Sequence, residues 1–534
     1  MYKRPGVYIK EISFAKTSIE TASTSIAAFV GHVKRGHRVT LNKGKPVLVR
    51  TVSEYAQQFG TPGGDPGGIT NEGATVDAFG HAINGFFANG GSGAYVVPVA
   101  RTGGSTSRCT LAIREAVAVA DDVKHNITFV ATSPGTWADS LLLQLKQDAT
   151  GTFTLTIGTQ DAASLALTDT AGKTHDTILE TFTGLSLAAR GRGSIKREVN
   201  SVSSLVKVKI NPTTTAVASD SNNVQAEMTG GTDTAAPRPA NYAQALERLQ
   251  ENRDIAIILL PGKDWTHDRT VYESAISHAE LMQNRMVIVD PQNPQTRAIQ
   301  LNTERDVRDA GFPVSPCCAL YYPYLKVANP YYDARHPGNL PDTFEIGPSA
   351  MVAGVWARID ASRGVWKAPA GIDATVLGTL GPNVPVASAI QEHLNPLGVN
   401  CLRTVSGPTS VWGARTLATE TDPEYRYVSV KRTQNMIRES LYRALQTVVF
   451  EPNDQALWSS LRARITDFMA DLFRAGAFQG TKASEAYFVR CGLGSTMTEA
   501  DIDAGLVRVL AGFAPLKPAE FVVMELQQLV AQTR

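Results

Sequence analysis

Cysteine is scarce in this chain of 534 residues, with five in all, at positions 109, 317, 318, 401 and 491. An odd, scattered set without Cys-x-x-Cys spacing argues against a disulfide framework or a thiolate zinc site, and suits a reducing cytosol. Cys317 and Cys318 stand side by side in an apolar run, which points to buried free thiols. Excess charge is missing too. Lys and Arg number 51 against 50 Asp and Glu, and a net +1 excludes a general binder of nucleic acid or anionic membrane. No apolar run approaches the ~20 residues that cross a bilayer. Met1-Tyr2-Lys3-Arg4-Pro5 lacks the apolar segment of a signal peptide, so synthesis and assembly in the cytoplasm are expected. Nucleotide and metal signatures are also absent. Gly44-Lys45-Pro46 has neither the spacing nor the hydroxyl of a phosphate-binding loop, Glu392-His393 stands alone, and Gly191-Arg192-Gly193 is short enough to be a turn. No cofactor and no metal are expected.

What is present can build large cores, because 43% of residues are hydrophobic and 19% charged. The length implies three or four domains. Residues 25–31 read as a buried strand. Residues 75–89 read as a helix with Val76, Phe79, Ile83, Phe86 and Phe87 on one face, stopped by Gly90-Gly91 and followed by the strand Ala94-Tyr95-Val96-Val97-Pro98-Val99. From 103 the composition turns to Thr, Ser and Ala with period-two alternation, as in Phe153, Leu155 and Ile157, a β-rich pattern closed by Gly230-Gly231. Helices near 240–252, 268–284 and 303–310 then lead into the apolar strands 255–260, 286–290 and 319–322. Continuous apolar strands between helices predict a parallel sheet covered on both faces. Beyond it, two long helices over 433–450 and 453–475 precede short strands at 487–491, 506–510 and 520–529.

These patterns give an α/β plus α+β multidomain chain. Its expected parts are an arm (1–20), a discontinuous α/β core (21–102 plus 236–375), a β-rich insertion (103–235), an α+β domain (376–518) and a final strand (519–534). Gly347-Pro348-Ser349-Ala350 starts a helix after the parallel sheet, where a nucleophilic serine could stand. A hydrolase also needs a base and an orienting acid; His267 with Asp264 and Asp268, His278 and His81 are the candidates, and none lies in a Gly-rich His-Gly context. Ser349 as a helix cap is the expected role. The tyrosines Tyr321-Tyr322-Pro323-Tyr324 and Tyr331-Tyr332 have no basic excess beside them and suit packing in a subunit interface.

An ordered series of motifs carries a family resemblance: Arg363-Gly364-Val365-Trp366-Lys367-Ala368-Pro369-Ala370, Leu394-Asn395-Pro396-Leu397-Gly398-Val399-Asn400, Val411-Trp412-Gly413-Ala414-Arg415-Thr416-Leu417 and Phe450-Glu451-Pro452-Asn453-Asp454. With Arg4-Pro5-Gly6-Val7-Tyr8-Ile9 at one end and Pro518-Ala519-Glu520-Phe521-Val522-Val523-Met524 at the other, the chain resembles the sheath proteins of contractile phage tails and related injection particles, including tailocins. The resemblance implies a structural protein and no enzyme, with a core domain subtilisin-like in fold. It further implies a helical stack of hexameric rings around an inner tail tube, capped by baseplate and tail terminator proteins, within a virion tail or injection particle that contracts without nucleotide. An alternative self-assembling protein, such as a surface-layer subunit, would form sheets in place of tubes.

Two sets of site residues follow. The terminal strands, with Val7, Tyr8, Ile9 and Ile12 at one end and Phe521, Val522, Val523, Met524 and Leu526 at the other, have no hairpin return. Each leaves a row of backbone groups unpaired, and the resemblance implies that neighbouring subunits take them up. Linkers near 14–23 and 512–518 would let bodies move while strands stay paired. Polar positions Arg462, Arg464, Asp467, Asp471 and Arg474 on the second long helix suit weak, breakable ion pairs with a tube.

Overall fold

A computed structural model of the chain describes residues 18–33, 45–59, 77–99, 104–115, 123–139, 141–159, 177–187, 191–212, 223–232, 235–292, 300–329, 342–405 and 407–521. The described chain divides into two compact units: Ser23–Arg432, and the described residues of Met1–Ala22 with Thr433–Arg534. In the first, β1 (Ala27–Gly31) is buried throughout. β2 (Val47–Val49) lies antiparallel to β3 (Ala94–Pro98), and β3 runs parallel to β1 from Ala27↔Ala94 to Gly31↔Pro98. The intervening helix α1 (Ala78–Ala88) starts at Asp77, whose carboxylate accepts hydrogen bonds from the N–H groups of Phe79 and Gly80. That cap is the physical start of the element.

In the Thr-rich stretch the described strands pair antiparallel. β4 (Arg108–Glu115), β5 (Val123–Ala131) and β9 (Val206–Pro212) form one sheet. β6 (Leu141–Gln147), β7 (Phe153–Thr159), β8 (Thr177–Leu185) and β10 (Asn223–Glu227) form another. Period-two alternation does its ordinary work here: Phe153, Leu155 and Ile157 are fully buried while Thr154 and Thr156 stay partly exposed. They share a core with Ile127, Phe129, Leu143 and Leu145. Gly231 closes the module at a backbone approach that only glycine permits, since a Cβ there would lie 2.2 Å from the Gly135 carbonyl oxygen.

The central sheet has the order β18-β17-β13-β12-β11-β1-β3-β2, with β11 (Ile257–Leu259), β12 (Met286–Val289), β13 (Cys318–Tyr322), β17 (Val399–Thr404) and β18 (Thr409–Val411). Neighbours from β17 to β3 are all parallel. Because β1 pairs with β11, residues on either side of the Thr-rich module share one sheet. Alternate residues face opposite layers, as expected. Phe29, Leu259, Ile288 and Tyr321 pack with α1 and with α3 (Ser349–Arg363), whereas Val30, Ile258, Val287 and Leu320 pack with α2 (Arg269–Met282). A small sheet of β14 (Leu325–Ala328), β15 (Thr343–Ile346) and β16 (Gly381–Pro382) follows β13. β17 and β18 lie beyond residue 375, so the expected start of a separate α+β domain falls inside this sheet. Leu320 opposite Val399 sets that join.

Helix α4 (Val428–Leu445) begins five residues before the expected 433. In the second unit, α5 (Gln455–Arg474) is capped by Asp454, which accepts from the Leu457 N–H at 2.8 Å. Its buried stripe is Trp458, Leu461, Ile465, Phe468, Met469 and Leu472. The antiparallel hairpin of β19 (Tyr487–Cys491) and β20 (Val509–Phe513) follows, with Tyr487 opposite Phe513 and Cys491 opposite Val509. β20 includes Gly512 and Phe513, both expected to lie in a linker; the Phe488 ring lies over Gly512, where a Cβ would meet it at 2.5 Å.

Candidate functional site

Of the residues expected to form exchanged strands, Val7, Tyr8, Ile9, Ile12, Val522, Val523, Met524 and Leu526 lie outside the described residues. Phe521 is the last one described, and is 76% exposed. The hairpin that precedes it is nonetheless informative. Among the described residues β19 and β20 have only each other as sheet partners. One backbone row on each strand therefore faces away from the pair. Trp458 of α5 packs with Cys491 and Met497, with Val509 against them. The opposite face carries Phe488 and Leu510, both about half exposed, beside exposed Arg490. An isolated two-stranded hairpin is marginal in water. Among the described residues this one is held on one side, by α5 and by Phe478, whose ring packs on Tyr487 and Phe513.

The polar residues of α5 divide into two groups. At about 100° per residue, Asp467 and Arg474 lie opposite the buried stripe with Asp471 to one side of them, and all three are exposed. Arg474 and Asp471 pair at 2.9 Å. Arg462 and Arg464 flank the stripe on opposite sides. Arg462 donates from Nη1 to the Cys491 carbonyl at 3.0 Å, which ties the helix to the end of β19. Arg464 is half-buried, with its Nε lacking a hydrogen-bond partner among the described residues. The structure thus brings Asp467, Asp471 and Arg474 together and sets the other two apart.

Ser349 is 3% exposed, and its hydroxyl donates to Asp290 Oδ2 at 2.6 Å while its N–H donates to Oδ1 at 2.9 Å. The capping role expected for Ser349 is reversed: Asp290, from the end of β12, caps α3, and Ser349 is a donor at the first turn. Gly347 makes room for this, because a Cβ there would sit 2.4 Å from Asp290 Oδ2. Burial pushes the Asp290 carboxyl up to about 7, with repulsion from Asp264 adding to it, against the Ser349 bonds that pull it down. The histidines are engaged elsewhere. His267 Nδ1 lies 2.9 Å from both carboxylate oxygens of Asp264. His278 contacts the buried Arg285 at 3.0 Å. His81 is packed on Phe344 at 4.3 Å between ring centroids. None of these histidines bonds to Ser349 among the described residues, and the serine is not accessible.

The motifs that sequence reading set apart interlock. Asn400 donates from Nδ2 to the carbonyls of Leu320 (3.0 Å) and Arg415 (2.8 Å) and accepts from the Arg415 N–H at 2.6 Å. It thereby stitches β13 and β17 to the 413–416 segment. Gly413 leaves room for Asn400, since a Cβ there would come within 2.9 Å of the Asn400 Cα. Gly398, at φ 83°, lies against the Thr416 carbonyl, 2.5 Å from where its Cβ would be. In the Phe450–Asp454 motif, Asn453 Oδ1 accepts from the Trp458 indole at 2.8 Å. Sequence reading missed the buried pair of Arg432 with Asp360. Nη1 donates to Oδ1 at 2.9 Å, Thr24 Oγ1 donates to Oδ2 at 2.6 Å, and the guanidinium lies 4.5 Å from the Trp356 ring centroid. An Arg in an apolar Tyr-Val-Ser-Val context was the available signal.

Two family descriptions match the chain: "Phage tail sheath protein central domain" over residues 235–417 and "Phage tail sheath C-terminal domain" over residues 420–528. Together they cover more than half of it. The tail sheath protein of Burkholderia phage BcepMu is 31% identical over 172 residues, which is 31% of this chain and 34% of that protein, so the match spans about a third of the curated relative. Among solved structures, the sheath tail protein of Listeria innocua is similar with TM-score 0.58 at 13% identity, covering 93% of this chain and 96% of that one. The anti-feeding prophage helical sheath in its contracted state gives TM-score 0.56 at 21% identity, covering 99% and 100%. The PVC sheath complex of an extracellular contractile injection system, also contracted, gives 0.56 at 20%, covering 100% and 99%. At these identities the structures speak for the fold alone, a mixed α/β multidomain architecture. The two adjoining domain matches and the phage relative carry the assignment further: this chain belongs to the contractile phage tail sheath protein family.

Proposed function

We propose that the chain is a sheath subunit that polymerises helically around an inner tail tube and contracts to drive that tube through a bacterial envelope. The observation that carries this reading is the β19–β20 hairpin, whose outer edges have no strand partner among the described residues. Strands from neighbouring copies, 1–20 and 519–534, would complete it. Strand addition satisfies the edge groups. Each backbone bond nets roughly 0.5–1.5 kcal/mol, so a five-residue strand adds several kcal/mol before any side chain is buried. Val7, Ile9, Val522, Met524 and Leu526 would add about 1.5–3 kcal/mol each when fully buried.

In this reading the Thr-rich module faces outward, the α/β core is a subtilisin-like scaffold emptied of catalysis, and the free energy of contraction is stored in contacts between bodies. The rings are hexameric. Baseplate and terminator proteins close the two ends, and assembly takes place in the host cytoplasm. Asp467, Asp471 and Arg474 form the tube-facing patch, with Arg462 and Arg464 beside it. Deleting residues 1–15, or 520–534, is expected to leave a folded subunit that no longer forms sleeves in negative-stain micrographs. Intact sleeves from both deletions would remove strand exchange from the account.

A further inference from the structure

Phe450 is the most exposed large apolar side chain among the described residues, at 102% of its reference area, with Val449 beside it at 55%. Its backbone is in the left-handed region, φ 72°. A bulky residue seldom adopts this conformation, and the ring stands outward on the turn between α4 and α5. The turn is rigid on its far side, because Asn453 is bonded to Trp458 and Asp454 caps α5. Glu451, exposed next to Phe450, has no side-chain partner among the described residues. Nothing in the packing of the unit's described residues accounts for an aromatic knob presented this way.

The Ser23–Arg432 unit carries a matching hollow of about 310 Å³. Val307, Leu397 and Leu417 form its buried floor, and Phe312 and Val314 its wall, with Val314 64% exposed. Its volume is at the bottom of the range of small-ligand pockets, about 300–1,000 Å³, and suits one aromatic side chain better than a cofactor. Arg308 stands on the rim, held by Glu420 only at 3.4 Å with both side chains more than half exposed. A carboxylate arriving beside a docked ring would meet that guanidinium.

We infer that Phe450 of one copy docks in the Val307/Leu397/Leu417 hollow of the next, with Glu451 pairing to Arg308. Knob and hollow are different surfaces of the same chain. The contact is therefore heterologous, the type that closes into a ring or propagates into an open helical array according to its rotation. The inference rests on the polymer reading above but adds a body-to-body contact that terminal strands do not supply. A central aromatic seated in a pocket with a polar rim is the arrangement that dominates interface energetics.

Disulfide trapping tests it, and the buried native thiols give a quiet background. Phe450→Cys and Val314→Cys proteins, prepared separately, co-assembled and oxidised, are expected to give a covalent two-chain species. Phe450→Ala and Val314→Asp should each raise the critical concentration for assembly about tenfold or more, and the double variant should be no worse than the more damaging single. Sleeves that form normally and give no cross-link would overturn the docking and leave strand exchange standing. A wild-type chain that stays monomeric at every concentration would sink both. A cross-link formed within one chain carrying both cysteines, independent of dilution, would place Phe450 in its own hollow. Coupling of Val314→Cys to Val523→Cys would give the hollow to the C-terminal segment. Either result overturns the inference.

Discussion

Asp290 at the end of β12 accepts both hydrogen bonds that Ser349 has to give, at 2.9 Å from its N–H and 2.6 Å from its hydroxyl, and so caps a helix that starts 59 residues later in the chain. Among the described residues no cation pairs with this carboxyl, and burial lifts it to about 7 from an ordinary 3.8. The folded state therefore holds this proton more tightly than the unfolded chain does. Stability from this group is full below about pH 4 and is lost as pH rises through about 7. The gap between the two values caps the effect at about 4 kcal/mol. Asp290→Asn keeps the shape and cannot ionise, so its stability relative to wild type should improve between pH 5 and 8. Urea unfolding of both proteins across that range checks this, and a difference that does not vary with pH refutes it.

Ser349 has its hydroxyl committed to that carboxylate and only 3% of its area exposed. A fluorophosphonate probe should leave the native protein unlabelled. Ser349→Ala should cost on the order of 1–2 kcal/mol by removing one hydrogen bond from a buried acid, and should push the Asp290 carboxyl higher still. The upper end of the pH window, set by the folded-state carboxyl, would then move to higher pH, while its onset near pH 4, set by the unfolded chain, stays. Labelling of the folded wild type, seen by intact mass, would restore the hydrolase alternative.

Arg432 and Asp360 are 4% and 6% exposed at their side chains. Removing one partner of such a pair leaves a lone buried charge. Arg432→Ala or Asp360→Ala should therefore destabilise by about 3–5 kcal/mol. Arg432→Lys should recover little, because it loses the forked contact and the stacking on Trp356. Replacing both partners should cost less than the sum of the single changes, which a double-mutant cycle in chemical denaturation measures directly.

Asn400 serves two carbonyls and one N–H at once, and Asn400→Ala strands all three in a buried seam. The expected loss is on the order of 3 kcal/mol, read as a drop in the denaturation midpoint without change in the far-ultraviolet spectrum. Asn400→Asp should be as harmful, because a carboxylate can accept but cannot donate to the carbonyls of Leu320 and Arg415.

Much of this fold could be read from the chain. The apolar strands 255–260, 286–290 and 319–322 announced a sheet buried on both faces, and the alternation at Phe153, Leu155 and Ile157 announced an antiparallel module. Other features are invisible locally. Val399–Thr404 joins the central sheet by pairing with a strand some 80 residues upstream, and nothing in its own composition shows that partner. Tyr427-Val428-Ser429-Val430 alternates like a strand yet opens α4. Ser349 looked like a cap because serine commonly is one, and the actual cap arrives from another element. The open edges of β19 and β20 are a property of pairing, which periodicity cannot report.

The outer face of α5 yields the remaining prediction. Asp467, Asp471 and Arg474 are exposed, and their only ion pair among the described residues is Asp471–Arg474, at 65% and 72% side-chain exposure. Such a pair contributes about 0–1 kcal/mol to folding. Asp467→Lys with Asp471→Lys should therefore leave the melting temperature unchanged while weakening co-sedimentation with tubes, and the loss should shrink as salt screens the contact. Arg462→Glu should behave otherwise. It breaks the bond to the Cys491 carbonyl, places a carboxylate against that oxygen, and should loosen the hairpin and lower the melting temperature together with assembly. Unchanged tube binding by the double lysine variant would move the grip off this helix.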